Sequence, residues 1–217
     1  MTAAEVVKYL QAYLSQDRAG LSAADQQGPG AAVVSCMDGR LNRFLDPFRF
    51  VIRTAGAVAE PVEGSLGIAA ESTGVTFLAT HGDCLAYKAA IQYLAASFAG
   101  ERISDNLVVN LNRHDTKAML FYLNTRRPLN ALPDPNDQRA LAELGINYAM
   151  QWTASNRTDK PRVGLFIDLR SVLATQPHAW VVSYDRYSGP ELAHFLGVHG
   201  MNSETVSTHV LRQPMKP

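Results

Sequence analysis

The segment "VVSCMDGRLN" places a thiol, a carboxylate and a guanidinium at alternate positions directly after an apolar run. These residues are Cys36, Asp38 and Arg40. A second pair, His81 and Cys84, follows the apolar run "VTFLAT". Both runs are rich in β-branched or aromatic residues, which favours strands. Because ligand-binding residues gather where the strands of a parallel sheet end, we expect these five side chains to meet at one edge.

The two thiols and the imidazole form a ligand set that suits zinc. Either cysteine alone would more often be a small buried hydrophobic residue. Together with the histidine, they predict that Cys36, His81 and Cys84 bind Zn²⁺. Three protein ligands leave a fourth tetrahedral position open for water, which is typical of catalytic zinc.

Asp38 and Arg40 are predicted to act as a pair beside this metal. An unpaired carboxylate next to an open zinc position would bind the metal and displace its water. Arg40 can prevent this by holding Asp38 in a planar pair with two hydrogen bonds. Asp38 would then orient the water for attack. Because two thiolates cancel the charge of Zn²⁺, we expect activity to rise towards alkaline pH.

The composition narrows the range of functions. The chain has 217 residues, of which 47% are hydrophobic and 18% charged, as in a folded α/β domain. Twenty basic and twenty acidic residues cancel, so no overall charge favours nucleic acid or an anionic membrane. We expect a small-molecule substrate. Two cysteines are too few for a disulfide framework, and the N-terminus resembles neither a signal peptide nor a membrane span, which indicates a cytoplasmic protein.

The order of the elements predicts an α/β fold with a mostly parallel central sheet flanked by helices. We expect one domain over residues 1–217, beginning with a helical arm over 1–20 whose apolar stripe needs a partner surface, such as that of a second subunit. Asp83 is expected to cap the helix that begins near Cys84. The remaining expectations are a helix over 114–124, a proline-rich loop over 126–138 and a C-terminal tail over 201–217 without clear periodicity.

Three segments resemble motifs of the β-class carbonic anhydrases. "VVSCMDGRL" resembles the first zinc and Asp-Arg motif, "VIRTAGAV" the Arg-Asn-Ala-Gly segment, and "ATHGDC" the second zinc motif. The resemblance implies a homodimeric zinc lyase in which zinc-bound hydroxide converts CO₂ to bicarbonate, and in which N-terminal helices embrace the neighbouring subunit. It also implies that Cys36, His81 and Cys84 bind the metal, with Asp38 and Arg40 as the catalytic pair. In some members the aspartate leaves the arginine at low pH and becomes the fourth metal ligand.

The sequence departs from this family at two positions near the motifs. Leu85 stands where the family usually has glycine, and Thr54 where it usually has asparagine. Two alternatives therefore stay open: a zinc hydrolase of CS₂ or COS on the same scaffold, and a non-catalytic zinc-binding module that serves interaction or senses oxidation through its two cysteines. A cysteine phosphatase is excluded because Asn42 stands where its C-x₅-R motif needs arginine. A Rossmann dinucleotide site is excluded because no G-x-G-x-x-G follows the first strand.

Overall fold

The structure is a computed structural model that describes residues 1–15, 30–101, 132–169 and 178–212. The predicted helix over 114–124, part of the proline-rich loop and the end of the tail lie outside these ranges. The strands are β1 Ala31–Cys36, β2 Phe50–Thr54, β3 Val75–His81, β4 Arg162–Ile167, β5 Ala179–Tyr184 and β6 Tyr187–Ser188. The α-helices of the described residues are α1 Ala3–Leu14, α2 Asn42–Leu45, α3 Glu63–Glu71, α4 Leu85–Ala99, α5 Gln138–Ala154, α6 Gly189–Val198 and α7 Ser203–His209.

The six strands form one mixed sheet in the order β2-β1-β3-β4-β5-β6. The pairs β1–β2, β1–β3 and β3–β4 are parallel, whereas β4–β5 and β5–β6 are antiparallel. The prediction of a mostly parallel sheet flanked by helices is therefore confirmed. Strands β1 and β3 are buried along their whole length, as expected for interior strands of an α/β sheet. Their carboxyl ends lie at the same edge.

Helix α1 packs against the segment between β1 and β2. The helix starts with a capping box in which Thr2 and Glu5 satisfy each other's backbone groups. Tyr9 and Tyr13 donate hydrogen bonds to the carbonyl oxygens of Pro47 and Phe44 at 3.0 and 3.1 Å. The apolar stripe of α1 is thus buried within its own chain, and the predicted exchange of arms between subunits is not needed to cover it.

Helix α4 begins directly after the second ligand motif and ends at Gly100, which adopts a left-handed conformation with φ of 67°. The N-cap of the helix is Cys84, without a capping hydrogen bond from its side chain. The expectation that Asp83 caps this helix is therefore wrong. Asp83 itself has φ of 55°, and its carboxylate forms ion pairs with Arg40 and Lys88.

The C-terminal segment is more ordered than its sequence indicates. A tail without periodicity was expected over 201–217, but the structure has helix α7 and a β-bridge between Val210 and Val181. The side chain of Asn202 accepts a hydrogen bond from the N–H of Thr205 and so caps α7. A helix of two turns is too short to show a clear period, which explains the error.

None of the helices in the described ranges combines the length and apolar character needed to cross a membrane.

Gly164 lies where β4 packs closely against β5 and α5, and a substitution there tests this packing. A Cβ atom there would lie 2.3 Å from Ser183 Oγ, 3.1 Å from Val182 Cγ2 and 3.3 Å from Ala149 Cβ. Gly164→Ala is expected to lower the free energy of unfolding by about 1 to 3 kcal/mol because the core is overpacked. Gly67→Ala is the matched control, since its Cβ meets nothing within 4 Å in helix α3 and should stabilise by up to about 1 kcal/mol. Urea unfolding of both variants measures these changes, and an equal effect at the two positions would contradict the packing described.

Candidate metal centre

The structure brings together the three predicted metal ligands at the carboxyl edge of the sheet. Cys36 is the last residue of β1, His81 is the last residue of β3, and Cys84 begins helix α4. All three are buried, and their ligand atoms lie within 4.8 Å of one another. The two sulfur atoms are 3.9 Å apart. Two neighbouring parallel strands and one tight turn therefore suffice to form the group.

His81 is oriented with one nitrogen available to a metal. Its Nδ1 lies 2.7 Å from the carbonyl oxygen of Gly82. Because a carbonyl oxygen only accepts, Nδ1 carries the proton and Nε2 keeps its lone pair. Nε2 is buried and has no hydrogen-bond partner among the described residues. A buried acceptor without a partner is costly, and a metal ion would satisfy it.

The two thiols differ in their ease of ionisation. A hydrogen bond from the Cys84 thiol is the main reason that the pKa of Cys36 falls to about 4. The Cys36 thiolate and burial raise the pKa of Cys84. The two sulfur atoms therefore share one proton, and binding of a metal ion by both would release it. Two sulfurs and one imidazole nitrogen are a donor set that fits zinc.

Asp38 lies beside this group and is paired with Arg40. Arg40 Nη2 donates to Asp38 Oδ2 at 2.6 Å, and Nε lies 3.0 and 3.1 Å from the two carboxylate oxygens. Asp38 also accepts the backbone N–H of Arg40, which begins a short 3₁₀ turn over Gly39–Leu41. The hydrogen bonds from Arg40 lower the pKa of Asp38 to about 2. Asp38 is therefore a carboxylate at neutral pH, and it is turned to Arg40.

Arg53 fixes the loop that carries the pair, a role that sequence reasoning missed. Its Nη1 donates to the carbonyl oxygens of Cys36 at 2.7 Å and Asp38 at 3.2 Å, and its Nη2 donates to Asn42. Arg53 comes from β2, whose register with β1 places it opposite Ser35. The guanidinium of Arg53 thus links β2 to the loop that follows β1.

Asp83 is a second missed residue. It stands between His81 and Cys84 in the chain, and its side chain is 4% exposed. Its carboxylate contacts Arg40 Nη1 at 3.4 Å and Lys88 Nζ at 2.6 Å. No sequence pattern shows the contact with Arg40, which lies 43 positions away.

An open cavity of about 550 Å³ lies over this part of the site. Its wall combines charged groups with small and apolar side chains. Leu85 is 70% exposed and Met37 is 59% exposed, so apolar residues border the cavity. The lining residues are Cys36, Met37, Asp38, Gly39, Arg40, Ala55, Asp83, Leu85 and Ala86.

No family model and no curated protein matches the chain. Solved structures do. The chain is similar to a carbonic anhydrase from Glaciozyma antarctica, with 20% identity and a TM-score of 0.39 over 67% of this chain and 80% of that chain. It is also similar to a tetrameric β-carbonic anhydrase from Sordaria macrospora, with 15% identity and a TM-score of 0.42 over 76% and 94%. A carbon disulfide hydrolase aligns at 16% identity and a TM-score of 0.39 over 77% and 85%.

β-Carbonic anhydrases are thus among the solved structures that this chain resembles. At these low identities and TM-scores the likeness does not decide its activity.

The metal group can be tested without reference to any reaction. Zn²⁺ is expected to bind the wild-type chain at one ion per chain and to raise its unfolding temperature, because a ligand that binds only the folded state stabilises it. Cys36→Ser removes one sulfur ligand and should abolish both effects. Metal analysis and thermal unfolding with and without Zn²⁺ measure this. Tight binding of one Zn²⁺ by Cys36→Ser would remove this cysteine from the site.

Proposed function

We propose that this chain is a zinc enzyme that interconverts CO₂ and bicarbonate. One observation carries the proposal: the grouped side chains of Cys36, His81 and Cys84 lie beside an Asp38–Arg40 pair at an open cavity. A purely structural zinc would gain from a fourth protein ligand. Here the nearby carboxylate is held by Arg40 instead, which favours a catalytic site.

Thiol ligands suit a reducing compartment, and we expect the protein in the cytoplasm, as a homodimer or higher homo-oligomer.

Zinc bound by these three residues would act as a Lewis acid that makes water nucleophilic at neutral to alkaline pH. The role of Asp38 follows from its environment. Arg40 keeps the pKa of Asp38 at about 2, so this carboxylate is too weak a base to retain a proton at neutral pH. Its task is to accept a hydrogen bond from the attacking water and so orient it. Arg40 holds the carboxylate in place through three contacts of 2.6 to 3.1 Å.

The cavity suits a small, uncharged substrate. Met37, Ala55, Leu85 and Ala86 offer apolar surface against which CO₂ can lie without losing hydrogen bonds. Arg40 lines the same cavity and has a side chain that is 42% exposed, so it can attract the bicarbonate anion that enters or leaves.

CS₂ or COS is the second candidate substrate on the same site. The observation that favours it is Leu85, whose largely exposed side chain adds apolar surface to the cavity wall beside Cys84. CS₂ and COS are linear and uncharged like CO₂, and sulfur gains more from apolar contact. Release of hydrogen sulfide on addition of CS₂ or COS distinguishes this reaction from CO₂ hydration.

Stopped-flow CO₂ hydration tests the proposal on protein of measured zinc content. Turnover is expected to depend on zinc and to rise from neutral to alkaline pH, because two thiolates reduce the acidifying effect of the metal on water. The titration of Asp38 cannot produce this rise, because its pKa of about 2 leaves it ionised over the whole range. Full zinc occupancy without hydration of CO₂ would refute the proposed reaction, and hydrogen sulfide release by the same protein would support the second candidate.

Asp38→Asn tests the catalytic pair. The variant should keep its zinc but lose about 100-fold or more in turnover, because an amide orients water less effectively than a carboxylate. Asp46→Asn is the matched control, since Asp46 is exposed and does not line the cavity. Its turnover should equal that of the wild type. Undiminished turnover of the Asp38→Asn variant would remove Asp38 from the mechanism.

A further inference from the structure

Asp83 lies between two cations at the edge of the candidate metal centre. Its Oδ1 accepts a hydrogen bond from Lys88 Nζ at 2.6 Å, and its Oδ2 lies 3.4 Å from Arg40 Nη1. The carboxylate side chain is 4% exposed, whereas that of Lys88 is 23% exposed. A buried carboxylate needs a compensating positive charge. Lys88 and Arg40 both supply positive charge to Asp83, and Lys88 is the nearer of the two.

Arg40 is shared unequally between two carboxylates. Its contacts to Asp38 are 2.6, 3.0 and 3.1 Å, whereas both of its contacts to Asp83, through Nη1 to Oδ2 and Nη2 to the carbonyl oxygen, are 3.4 Å. The guanidinium of Arg40 is therefore paired mainly with Asp38. Asp83 is nevertheless close enough to compete for it, because Coulomb attraction at this distance is strong in a partly buried site.

We propose that Lys88 is a positioning residue that neutralises Asp83 and so keeps Arg40 on Asp38. Removal of the Lys88 charge strengthens the pull of Asp83 on the guanidinium. Asp38 then loses some of its hydrogen bonds from Arg40 and is free to turn towards the metal group. For turnover this inference rests on the proposed function, but the Arg40–Asp38 contact itself can be observed without any reaction.

The position of Lys88 in the fold suits this role. Lys88 lies in the first turn of α4, and its N–H donates to the carbonyl oxygen of Cys84 at 3.1 Å. The lysine is thus fixed relative to a predicted metal ligand. Asp83 comes one residue before that ligand, so the backbone fixes the positions of Asp83, Cys84 and Lys88 relative to one another. Asp38, Arg40, Asp83 and Lys88 form a chain of alternating charge, and the first three of them line the cavity.

A set of variants of the full-length chain tests the proposal. Lys88→Met removes the charge, and Lys88→Gln is a second neutral variant in case the first fails to fold. Lys88→Arg keeps the charge. Asp83→Asn combined with Lys88→Met removes the competitor together with its neutraliser. Arg139→Met is the matched control, because it removes an ion pair with Glu143 on helix α5 and neither residue lines the cavity.

The first readout is the ¹⁵N NMR signal of the Arg40 Nε–H group, assigned by its absence in Arg40→Lys. This signal should shift and exchange faster with water in Lys88→Met, and return towards the wild-type position in Lys88→Arg and in the double variant. The second readout is CO₂ hydration, in which Lys88→Met should lower kcat by about 10- to 100-fold with little change in KM. The double variant should recover most of this loss.

The outcomes separate the two proposals. An unchanged Arg40 signal in both neutral Lys88 variants would overturn the positioning role and leave Lys88–Asp83 as an ion pair that only anchors α4. Failure of the double variant to restore the signal would overturn it as well, because competition by Asp83 would then not be the cause. A wild-type protein that does not hydrate CO₂ would refute the proposed function, while the Arg40 signal would still decide the role of Lys88.

Discussion

Strands β1 and β3 are parallel neighbours, and the position of every candidate ligand depends on this pairing. Because parallel strands end at the same edge, Cys36 and His81 come together without any special loop between them. The turn after β3 then needs only two residues to bring Cys84 back to the same point. Burial of both strands on two faces makes the edge rigid, so the distances between the ligand atoms are set by the sheet.

Electrostatics adds the second constraint. The edge of the sheet concentrates two thiols and two carboxylates in a small volume, and Arg40, Arg53 and Lys88 bind the carboxylates and the backbone around them. Arg53 fixes the loop through its carbonyl oxygens, whereas Arg40 and Lys88 fix the carboxylates. A planar guanidinium serves Asp38 because it meets both carboxylate oxygens at once, which an ammonium group cannot do. The resulting arrangement keeps Asp38 ionised and turned to Arg40.

Much of this arrangement could be predicted from the sequence, because the ligand motifs directly follow short apolar runs. The strands "AAVVS" and "VTFLAT" and the helix ending at Gly100 are set by local composition, which places the ends of β1 and β3 and the start of α4. The contact of Asp83 with Arg40 could not be predicted, since Arg40 lies 43 positions away and the two meet only because the loops after β1 and β3 pack together. Helix α7 was missed because two turns show no period. Long-range ion pairs and short capped helices depend on tertiary packing, which residue spacing does not encode.

A crystal structure of the zinc-loaded protein tests the central claim most directly, namely that a three-residue metal group stays open because Arg40 holds Asp38. The account predicts zinc on Cys36 Sγ and Cys84 Sγ at about 2.3 Å and on His81 Nε2 at about 2.0 Å. It also predicts that Asp38 remains paired with Arg40 and that the fourth position faces the cavity. Zinc bound elsewhere, or a fourth bond from Asp38 to the metal at neutral pH with Arg40 displaced, would contradict it.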